Sequence, residues 1–428
     1  MKEYLVNIER NGAMVHVGAL RGESHRSAQF CYAASYLSDS DARPISISLP
    51  LQESAFSAEQ TRIYFEGLLP EGFTRRSVAQ WMHLDENDYL SILYGLGREC
   101  LGAVQITAEG EALEAAYEPI SNEQVRSLAA EGATKSTELI MKSHLSLTGA
   151  SGKVGLYYDT AHDDWYLPKG TAPSTHIVKQ SHIRLNEIVT NEQLCLLTAA
   201  RCGIEVPQSF IINTGAGTES EVLFATQRYD RIFSDHPHMV SGMPSPLRLH
   251  QEDFAQAMGI PASVKYEAEE GRHMAGMFEI LRAHSEDPIR DQLKLWDLIV
   301  FNCLIGNTDA HVKNFSLLYN ENLRSVRLAP AYDVVSTTVY EVSTRKLAFR
   351  VGTAATIDEI STAAFRAAAK EVGLGEKLAM RHFSELAERF LPALRSSAEQ
   401  LADTGYPKAM ELAEKIFQTS GWQRIKAD

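Results

Sequence analysis

The stretch IGNTDAHVKNFSLLY, residues 305–319, decides the fold assignment. A helix with one apolar face is predicted over 291–305, a loop follows it, and Phe315–Tyr319 has the pattern of a strand. In the loop, Asp309 and Asn314 lie five positions apart. Kinase catalytic loops use this D-x-x-x-x-N spacing, because the carboxylate orients the attacking hydroxyl and the amide helps to hold Mg²⁺. An Asp and an Asn at this spacing often occur by chance, so the surrounding sequence must show whether this loop is a catalytic loop.

A second carboxylate follows a predicted hairpin. The hairpin over 315–328 leads into LAPAYDVVS, residues 328–336, which places Asp333 in a loop. Kinases carry a metal-binding Asp after a hairpin, in the motif D-F-G, and here Tyr-Asp-Val stands in its place. The alternative is an Asp that caps a turn beside the Ala-Pro pair, and for Asp333 taken alone that alternative is favoured.

Lys179 ends a predicted strand over 174–179 and has apolar neighbours. A lysine inside a strand that faces a nucleotide cleft neutralises the α- and β-phosphates in kinases. Glu192 on the next predicted helix, 187–202, would pair with it, and Glu187 competes for that role. The alternative for Lys179 is a solvent-facing position on an edge strand.

The turn TGASGK, residues 148–153, is a candidate phosphate loop, because its backbone N–H groups could cover phosphates. It is not a Walker A motif, since two residues separate its glycines and Val154 replaces Ser/Thr. A tight hairpin is the alternative. The hydroxyls of Ser146, Thr148 and Ser151 would lie beside a bound γ-phosphate, which suggests self-phosphorylation.

The length of 428 residues predicts two or more domains or lobes. We expect an α+β protein with a β-rich N-terminal subdomain over 1–108, a lobe with the glycine-rich loop over 109–226, and a mostly helical lobe over 227–428. Alternation at Tyr4, Val6 and Ile8 before the turn Asn11-Gly12 predicts an N-terminal hairpin. The Glu-, Ala- and Ser-rich stretch 109–135 is the candidate connection between domains. Further strands are predicted at 45–49, 103–107, 144–147, 153–158, 208–213 and 221–227, and helices at 58–68, 358–372, 376–390 and 408–418.

Composition excludes several classes of protein. Apolar residues make up 44% and charged residues 22%, which argues against a disordered, collagen-like or small disulfide-rich chain. Lys and Arg number 41 against 55 Asp and Glu, a net charge of −14 that disfavours autonomous binding of nucleic acid. Five scattered cysteines without C-x-x-C predict reduced thiols in a cytoplasm. No apolar run reaches the 18 residues of a membrane span, and the first residues do not resemble a signal peptide. We therefore expect a cytoplasmic protein without a membrane partner.

With these motifs, the sequence resembles the HipA family of bacterial toxin serine/threonine kinases. The resemblance extends over most of the chain and is specific because eight segments carry it together. They are FEGLLPEG (65–72), LGRECLGAVQ (96–105), SLTGASGK (146–153), PSTHIVK (173–179), QRYDR (227–231), RLHQEDFAQAMG (248–259), GNTDAHVKNFS (306–316) and LAPAYDVVS (328–336).

The resemblance implies a two-lobed protein-kinase-like fold and transfer of the ATP γ-phosphate to a serine of a host protein. In the well-known member that protein is glutamyl-tRNA synthetase, and the modification inhibits translation and growth. It also implies a HipB-like helix-turn-helix antitoxin, through which the kinase reaches operator DNA and becomes nucleoid-associated. Two alternatives stay open: a catalytically weak or inactive co-repressor, and a phosphotransferase for small molecules.

The family motifs also imply roles for individual residues. Asp309 would be the catalytic base, His311 would support its loop, and Asn314 and Asp333 would hold Mg²⁺. A larger set would contact ATP, with Gln227 and Tyr229 at the hinge that meets adenine: Lys179, Lys153, Gly149, Ala150, Ser151, Gly152, Gln227, Tyr229 and Gln251.

Ser146 occupies the position of the autophosphorylated loop serine of the family. The family loop usually reads GAQ-x-K, whereas here Ser151 replaces Gln and Gly152 follows it. Because this change adds a second hydroxyl, Ser151 and Thr148 stay open as alternatives to Ser146.

Overall fold

The computed structural model describes residues 2–111, 114–143, 147, 152–181, 185–215, 217–218, 220–268 and 271–425. The chain divides into two compact units. The first comprises Met1–Gln180, Ala225–Ala262 and Leu318–Val326, and the second comprises Ser181–Phe224, Ser263–Leu317 and Arg327–Asp428. The three-part division with boundaries after residues 108 and 226 stays a proposal.

The described part of the chain contains both strands and helices. The strands are β1 (Lys2–Arg10), β2 (Ala13–Gly22), β3 (Gln29–Tyr32), β4 (Val104–Thr107), β5 (Ala115–Pro119), β6 (Lys153–Asp159), β7 (Asp164–Gly170), β8 (His176–Gln180), β9 (Ser209–Asn213), β10 (Val222–Gln227), β11 (Arg231–Ile232), β12 (His238–Val240), β13 (Met243–Ser245), β14 (Leu247–Arg248), β15 (Gln251–Asp253), β16 (Ser316–Tyr319), β17 (Val326–Leu328), β18 (Lys346–Val351) and β19 (Ala354–Thr356). The helices are α1 (Ala34–Leu37), α2 (Ala58–Glu66), α3 (Gly72–Trp81), α4 (Tyr89–Leu96), α5 (Asn122–Glu131), α6 (Ala133–Ser143), α7 (Ile188–Arg201), α8 (Phe254–Met258), α9 (His273–His284), α10 (Pro288–Ile305), α11 (Thr362–Glu371), α12 (Glu376–Asp403), α13 (Lys408–Thr419) and α14 (Trp422–Ile425).

The N-terminal sheet has the strand order β3-β2-β1-β4. Strands β1 and β2 pair antiparallel around Asn11 and Gly12, whose φ angles are 52° and 76°. A tight hairpin turn with positive φ at both central positions favours Asn followed by Gly. The predicted hairpin is confirmed, and the strand predicted at 103–107 is β4.

The strand predicted at 45–49 is wrong. This segment makes only an isolated bridge between Ser46 and Leu49. The buried carboxylate of Glu252 accepts hydrogen bonds from the Ser46 hydroxyl at 2.5 Å and from the Ile47 N–H at 3.0 Å. A side chain therefore satisfies polar groups that a partner strand would otherwise satisfy, and the apolar alternation there reflects burial alone.

A second sheet has the order β5-β7-β6-β8-β10-β9. The strands predicted from residue 153 to 227 correspond to β6, β8, β9 and β10. The connection between domains predicted over 109–135 stays a prediction; this stretch contains β5, which pairs antiparallel with β7, and α5. Tyr117 of β5 is buried against Tyr157, with ring centroids 4.3 Å apart, so packing of one aromatic side chain outweighs the polar composition.

In the second unit, α10 packs against α9, α12 and α14. Its buried Trp296 donates from its indole N–H to the Ala379 carbonyl of α12 at 3.0 Å. The helices predicted after residue 290 are confirmed, but α12 continues past Pro392 to Asp403. Leu394, Ala398 and Leu401 extend its buried stripe, so packing stabilises the helix beyond the proline. Of the strand predicted at 144–147, only Leu147 lies within the described residues. No helix of the described part of the chain is both long and apolar enough to cross a membrane.

Candidate active site

The loop that carries Asp309 begins where α10 ends at Gly306. Gly306 has a φ of 73°, and its N–H donates to the Asn302 carbonyl, which closes the helix. A Cβ atom at this position would lie 2.1 Å from Oγ1 of Thr338. Both the left-handed backbone and the close approach require glycine, so the direction in which the loop leaves the helix is fixed.

The side-chain amide of Asn307 joins the two segments that carry the predicted acidic residues. Its Oδ1 accepts the N–H of Asp309 at 3.1 Å, and its Nδ2 donates to the Asp333 carbonyl at 3.4 Å. The same Nδ2 donates to Oδ1 of Asn302 at 2.8 Å. Asn307 is only 4% exposed. A buried amide with these bonds fixes the backbones of Asp309 and Asp333 relative to each other.

The residues from Asp309 to Asn314 form a compact loop. The Asp309 carbonyl accepts the N–H of His311 at 2.8 Å and Nδ2 of Asn314 at 3.0 Å. The N–H of Asn314 then donates to the His311 carbonyl at 2.8 Å. His311 is buried whereas Asp309 is exposed. The loop therefore has a rigid base and presents its carboxylate to solvent.

Asp333 lies in a loop after β17 with a φ of 52°, a left-handed conformation that Asp tolerates better than most residues. The phenol of the preceding Tyr332 is held by two hydrogen bonds. Its phenol donates to the Lys313 carbonyl at 2.9 Å and hydrogen-bonds with the Ser316 hydroxyl at 2.5 Å. Tyr332 thus connects this loop to the one that carries Asp309.

The chemistry of Asn314 and Asp333 fits a magnesium ion. Mg²⁺ prefers carboxylate and carbonyl oxygens and is usually held by one or two carboxylates together with substrate phosphates. Because Nδ2 of Asn314 donates to the Asp309 carbonyl, its amide oxygen lies on the other side of the group. Within the described residues, no group of three or more His, Cys, Asp or Glu side chains has the arrangement of a metal site.

Two lysines that are predicted to bind the phosphates of ATP lie side by side in the first unit. Lys153 of β6 and Lys179 of β8 are direct antiparallel partners, so their side chains leave the same face of the sheet. Lys153 is 8% exposed, and Lys179 is partly buried. This face of the sheet therefore carries two lysines side by side within an acidic chain.

The glycine-rich loop is described only in part. Gly152 is packed, since an added Cβ would lie 1.8 Å from Nε2 of Gln180. The other predicted loop residues lie outside the described residues: Ser146, Thr148, Gly149, Ala150 and Ser151.

Two residues predicted to contact ATP, Tyr229 and Gln251, are linked by hydrogen bonds to the buried carboxylate of Asp230. Tyr229 donates from its phenol to Oε1 of Gln251, and Nε2 of Gln251 donates to Oδ2 of Asp230 at 3.0 Å. Gln251 is 5% exposed, so its amide is part of the interior. Gln227 ends β10, two positions before Tyr229. The structure thus brings Tyr229 and Gln251 together.

A network of buried ion pairs lies on both sides of Tyr229 in the sequence. Glu99 accepts from Arg228 at 3.0 Å, from Arg231 at 2.9 Å and from Arg248 at 3.0 Å. Burial alone would raise the pKa of Glu99, but the guanidinium groups of Arg231, Arg248 and Arg228 lower it to about 2. Arg228 also pairs with Asp230 at 2.8 Å. These contacts fix the backbone on both sides of Tyr229.

The two glutamates considered as partners of Lys179 lie on or beside α7. Glu187 precedes the helix and forms an ion pair with Lys408 of its own unit. Glu192 is buried within the helix. A pair between Lys179 and Glu192 stays a prediction.

The sequence analysis did not predict two residues that contact the Asp309 and Asp333 segments, Asn307 and Tyr266. The phenol of Tyr266 donates to Oδ1 of Asp309 at 2.5 Å. For Asn307 a signal existed, since an Asn two positions before an Asp often accepts that N–H in a turn. For Tyr266 the sequence offers none, because it lies 43 positions before Asp309.

Known proteins resemble this chain over nearly its whole length. Residues 12–107 match the HipA N-terminal domain, and residues 145–394 match the HipA-like C-terminal domain. Y4mE of Sinorhizobium fredii is 32% identical over 401 residues, which cover 90% of each chain. The serine/threonine-protein kinase toxin HipA of Shewanella oneidensis is 27% identical over 366 residues, or 82% of this chain and 80% of that toxin.

A solved structure supports the predicted fold. It is the complex of the Shewanella oneidensis toxin–antitoxin system HipA, HipB and its operator DNA. The match has a TM-score of 0.80 at 21% identity and covers 99% of this chain and 97% of the matched chain. The domain matches and the relative at 32% identity show the family, and this likeness agrees with the two-lobed α+β fold expected for it. The chain therefore belongs to the HipA family of kinase-like proteins.

Proposed function

We propose that this chain is an ATP-dependent serine/threonine kinase toxin that phosphorylates a serine of a host protein. The observation that carries the proposal is the bridge made by Asn307, which holds the backbones of Asp309 and Asp333 in one buried hydrogen-bond network. A phosphoryl-transfer site needs its orienting carboxylate and its metal-binding carboxylate at fixed positions, because catalysis is mostly positioning and electrostatics.

Asp309 would orient the acceptor hydroxyl and receive its proton. The serine oxygen forms a bond to the γ-phosphorus, the bond from that phosphorus to the β-γ bridging oxygen breaks, and ADP leaves with that electron pair. The serine proton passes to the Asp309 carboxylate. The exposure of Asp309 suits this role, since a protein acceptor must reach it from solvent. His311, a buried residue of the same loop, would keep the carboxylate at its position.

Asn314 and Asp333 would hold Mg²⁺ through oxygen atoms. The ion would neutralise charge on the triphosphate. Hydrogen bonds fix the positions of both residues. Asn314 donates to the Asp309 carbonyl, and Asp333 follows Tyr332, whose phenol makes two hydrogen bonds.

Lys153 and Lys179 would contact the phosphates of ATP, together with the backbone of Gly149, Ala150, Ser151 and Gly152. Gln227 and Tyr229 would meet adenine, with Gln251 supporting Tyr229. A hydroxyl of the same loop would be the site of self-phosphorylation: Ser146, or its alternatives Ser151 and Thr148. Such a modification would switch the enzyme off by displacing the loop.

The partner of this chain would be a HipB-like antitoxin. The matched solved complex contains HipA, HipB and operator DNA, which supports this assignment. A net charge of −14 favours contact with a basic DNA-binding partner over direct contact with phosphates. The kinase would act in the cytoplasm, join the nucleoid when bound to the antitoxin, and inhibit translation and growth when released. Glutamyl-tRNA synthetase is the candidate target that the family suggests.

The test is phosphate transfer in a bacterial lysate. The purified chain is incubated with lysate, Mg²⁺ and ATP labelled at the γ-phosphate, and a parallel reaction contains a chelator. We expect Mg²⁺-dependent label on one or a few proteins, with phosphoserine identified by mass spectrometry. Label on a metabolite would instead establish a small-molecule phosphotransferase. Failure of the chain to bind or turn over ATP with Mg²⁺ would contradict the proposal and favour the inactive co-repressor.

A further inference from the structure

Tyr266 touches the side chain at the centre of the proposed reaction. Its phenol donates to Oδ1 of Asp309 at 2.5 Å, and its ring meets the His311 imidazole edge-on, with centroids 5.2 Å apart. Lys265 lies over the same ring, with its ammonium 5.5 Å from the centroid. Tyr266 is 48% exposed, so its hydroxyl lies at the surface beside the carboxylate.

The backbone that carries Tyr266 is firmly anchored through its neighbour Glu267. The Glu267 N–H donates to the Ala348 carbonyl at 2.8 Å. The Glu267 carboxylate, which is buried, accepts the N–H of His273 at the start of α9 at 2.7 Å and the N–H of Arg350 in β18 at 2.8 Å. The tyrosine is therefore mounted between a helix and a strand and is not the tip of a mobile loop.

An exposed aspartate can adopt several staggered rotamers, of which one points its carboxylate at the acceptor. A hydrogen bond from a fixed phenol selects among these rotamers. A carboxylate has two oxygens and about four acceptor positions, so it can accept the phenol at Oδ1 and still accept the incoming hydroxyl. A base must lie about 2.6–3.2 Å from the proton it accepts, which makes this selection matter for the rate.

We infer that Tyr266 is a positioning residue that holds the Asp309 carboxylate in its productive orientation. The inference rests on the proposed kinase function. Tyr266 does not itself exchange a proton with substrate; it acts through Asp309. Its removal therefore changes the rate of phosphate transfer and leaves the binding of ATP as it was.

The test compares Tyr266→Phe with the wild type at saturating ATP, with the lysate protein that the wild type labels as acceptor. The Phe ring keeps the packing on His311 and loses only the hydroxyl. We expect kcat to fall about 3- to 30-fold, since the carboxylate then samples about three rotamers and loses its alignment, with KM for ATP unchanged. Tyr158→Phe is the matched control, because Tyr158 donates to Asp163 at 2.6 Å in the first unit, and its kcat stays at the wild-type value.

A double-mutant cycle separates positioning from a structural role. Because Tyr266 acts through Asp309, Tyr266→Phe has no further effect in an Asp309→Asn background, whereas a structural effect would appear in both backgrounds. An unchanged or increased kcat in Tyr266→Phe, or equal effects in both backgrounds, would overturn the inference. A wild type that labels no protein contradicts the proposed function itself, and the inference falls with it.

Discussion

Lys153 and Lys179 are direct cross-strand partners on β6 and β8, so two ammonium groups leave one face of the same sheet side by side. Like charges placed directly opposite each other in a sheet are destabilising unless another interaction compensates. Two lysines on one face of the sheet also place positive charge there within an acidic chain, which suits the proposed contact with an anion. The triphosphate of ATP is the anion that the proposed reaction requires.

The first prediction concerns these lysines. Lys179→Met weakens binding of ATP by about 10- to 100-fold, because a charge-assisted contact to phosphate is lost. Lys169→Met is the matched control, since Lys169 lies on β7 of the same sheet and pairs with Glu118 at 3.0 Å. Titration with a fluorescent ATP analogue measures the affinity of both variants for the nucleotide. Equal affinities in the two variants would contradict the assignment of Lys179.

The second prediction concerns Asn307. Asn307→Ala removes the bridge between the segments of Asp309 and Asp333 and leaves buried polar groups unsatisfied, so the free energy of unfolding falls by about 2–4 kcal/mol. Phosphate transfer falls with it, because both carboxylates lose their fixed position. Urea-induced unfolding measures the first effect. The control is Asn322→Ala in a surface turn, where we expect a change below about 1 kcal/mol.

The third prediction concerns Gly306. Gly306→Ala is destabilising for two reasons, a φ of 73° and a Cβ placed 2.1 Å from Thr338. A comparison with Gly242 separates the effect of the backbone from that of the steric clash, since its φ is 79° and an added Cβ there meets nothing within 4 Å. Gly242→Ala therefore costs about 1 kcal/mol through its backbone alone, and Gly306→Ala costs more.

Thermal unfolding of both variants checks this difference. Thr338→Ala restores part of the loss in Gly306→Ala but none in Gly242→Ala. Equal costs in the two glycine variants would show that the close approach to Thr338 is unimportant.

Local signals in the sequence were sufficient to predict much of the fold and the loops that carry the candidate site residues. They did not predict the contacts that join distant segments. The D-x-x-x-x-N spacing and the turn Asn11-Gly12 are local, so they were sufficient to predict the Asp309 loop and the first hairpin. The bridge from Asn307 to Asp333, by contrast, depends on how the chain returns after β17. The pairing of Lys153 with Lys179 depends on strand register.

The errors have the same physical origin. Ile45 and Leu49 alternate as in a strand because both are buried, yet the Ile47 N–H between them donates to the side chain of Glu252. Strand β5 in the polar stretch 109–135 was not predicted, and its Tyr117 packs against Tyr157. Burial and register are properties of the folded chain, and composition reports them only indirectly.

The fourth prediction concerns acid stability. The pKa of Glu99 is lowered from 4.5 to about 2 in the folded state, so its stabilising contribution is fully present above about pH 4.5 and is lost as the pH falls toward 2. Glu99→Gln removes this contribution and leaves Arg228, Arg231 and Arg248 short of a counter-charge. We expect the free energy of unfolding at pH 7 to fall by about 3–5 kcal/mol.

Urea titrations between pH 7 and pH 3 check this dependence. The difference between wild type and Glu99→Gln narrows as the pH falls, because the wild type loses what the variant already lacks. Glu53→Gln at an exposed position is the control and shows no such narrowing. A difference that stays constant with pH would contradict the role assigned to Glu99.

The most direct test of the kinase assignment is the rate of phosphate transfer from ATP to a protein serine in Asp309→Asn, measured beside Asp235→Asn. Both substitutions remove one negative charge from an exposed position, but only Asp309 lies in the proposed catalytic loop. We predict that Asp309→Asn binds ATP as the wild type does and transfers phosphate about 100-fold or more slowly, whereas Asp235→Asn is fully active. Transfer at the wild-type rate by Asp309→Asn would contradict the account.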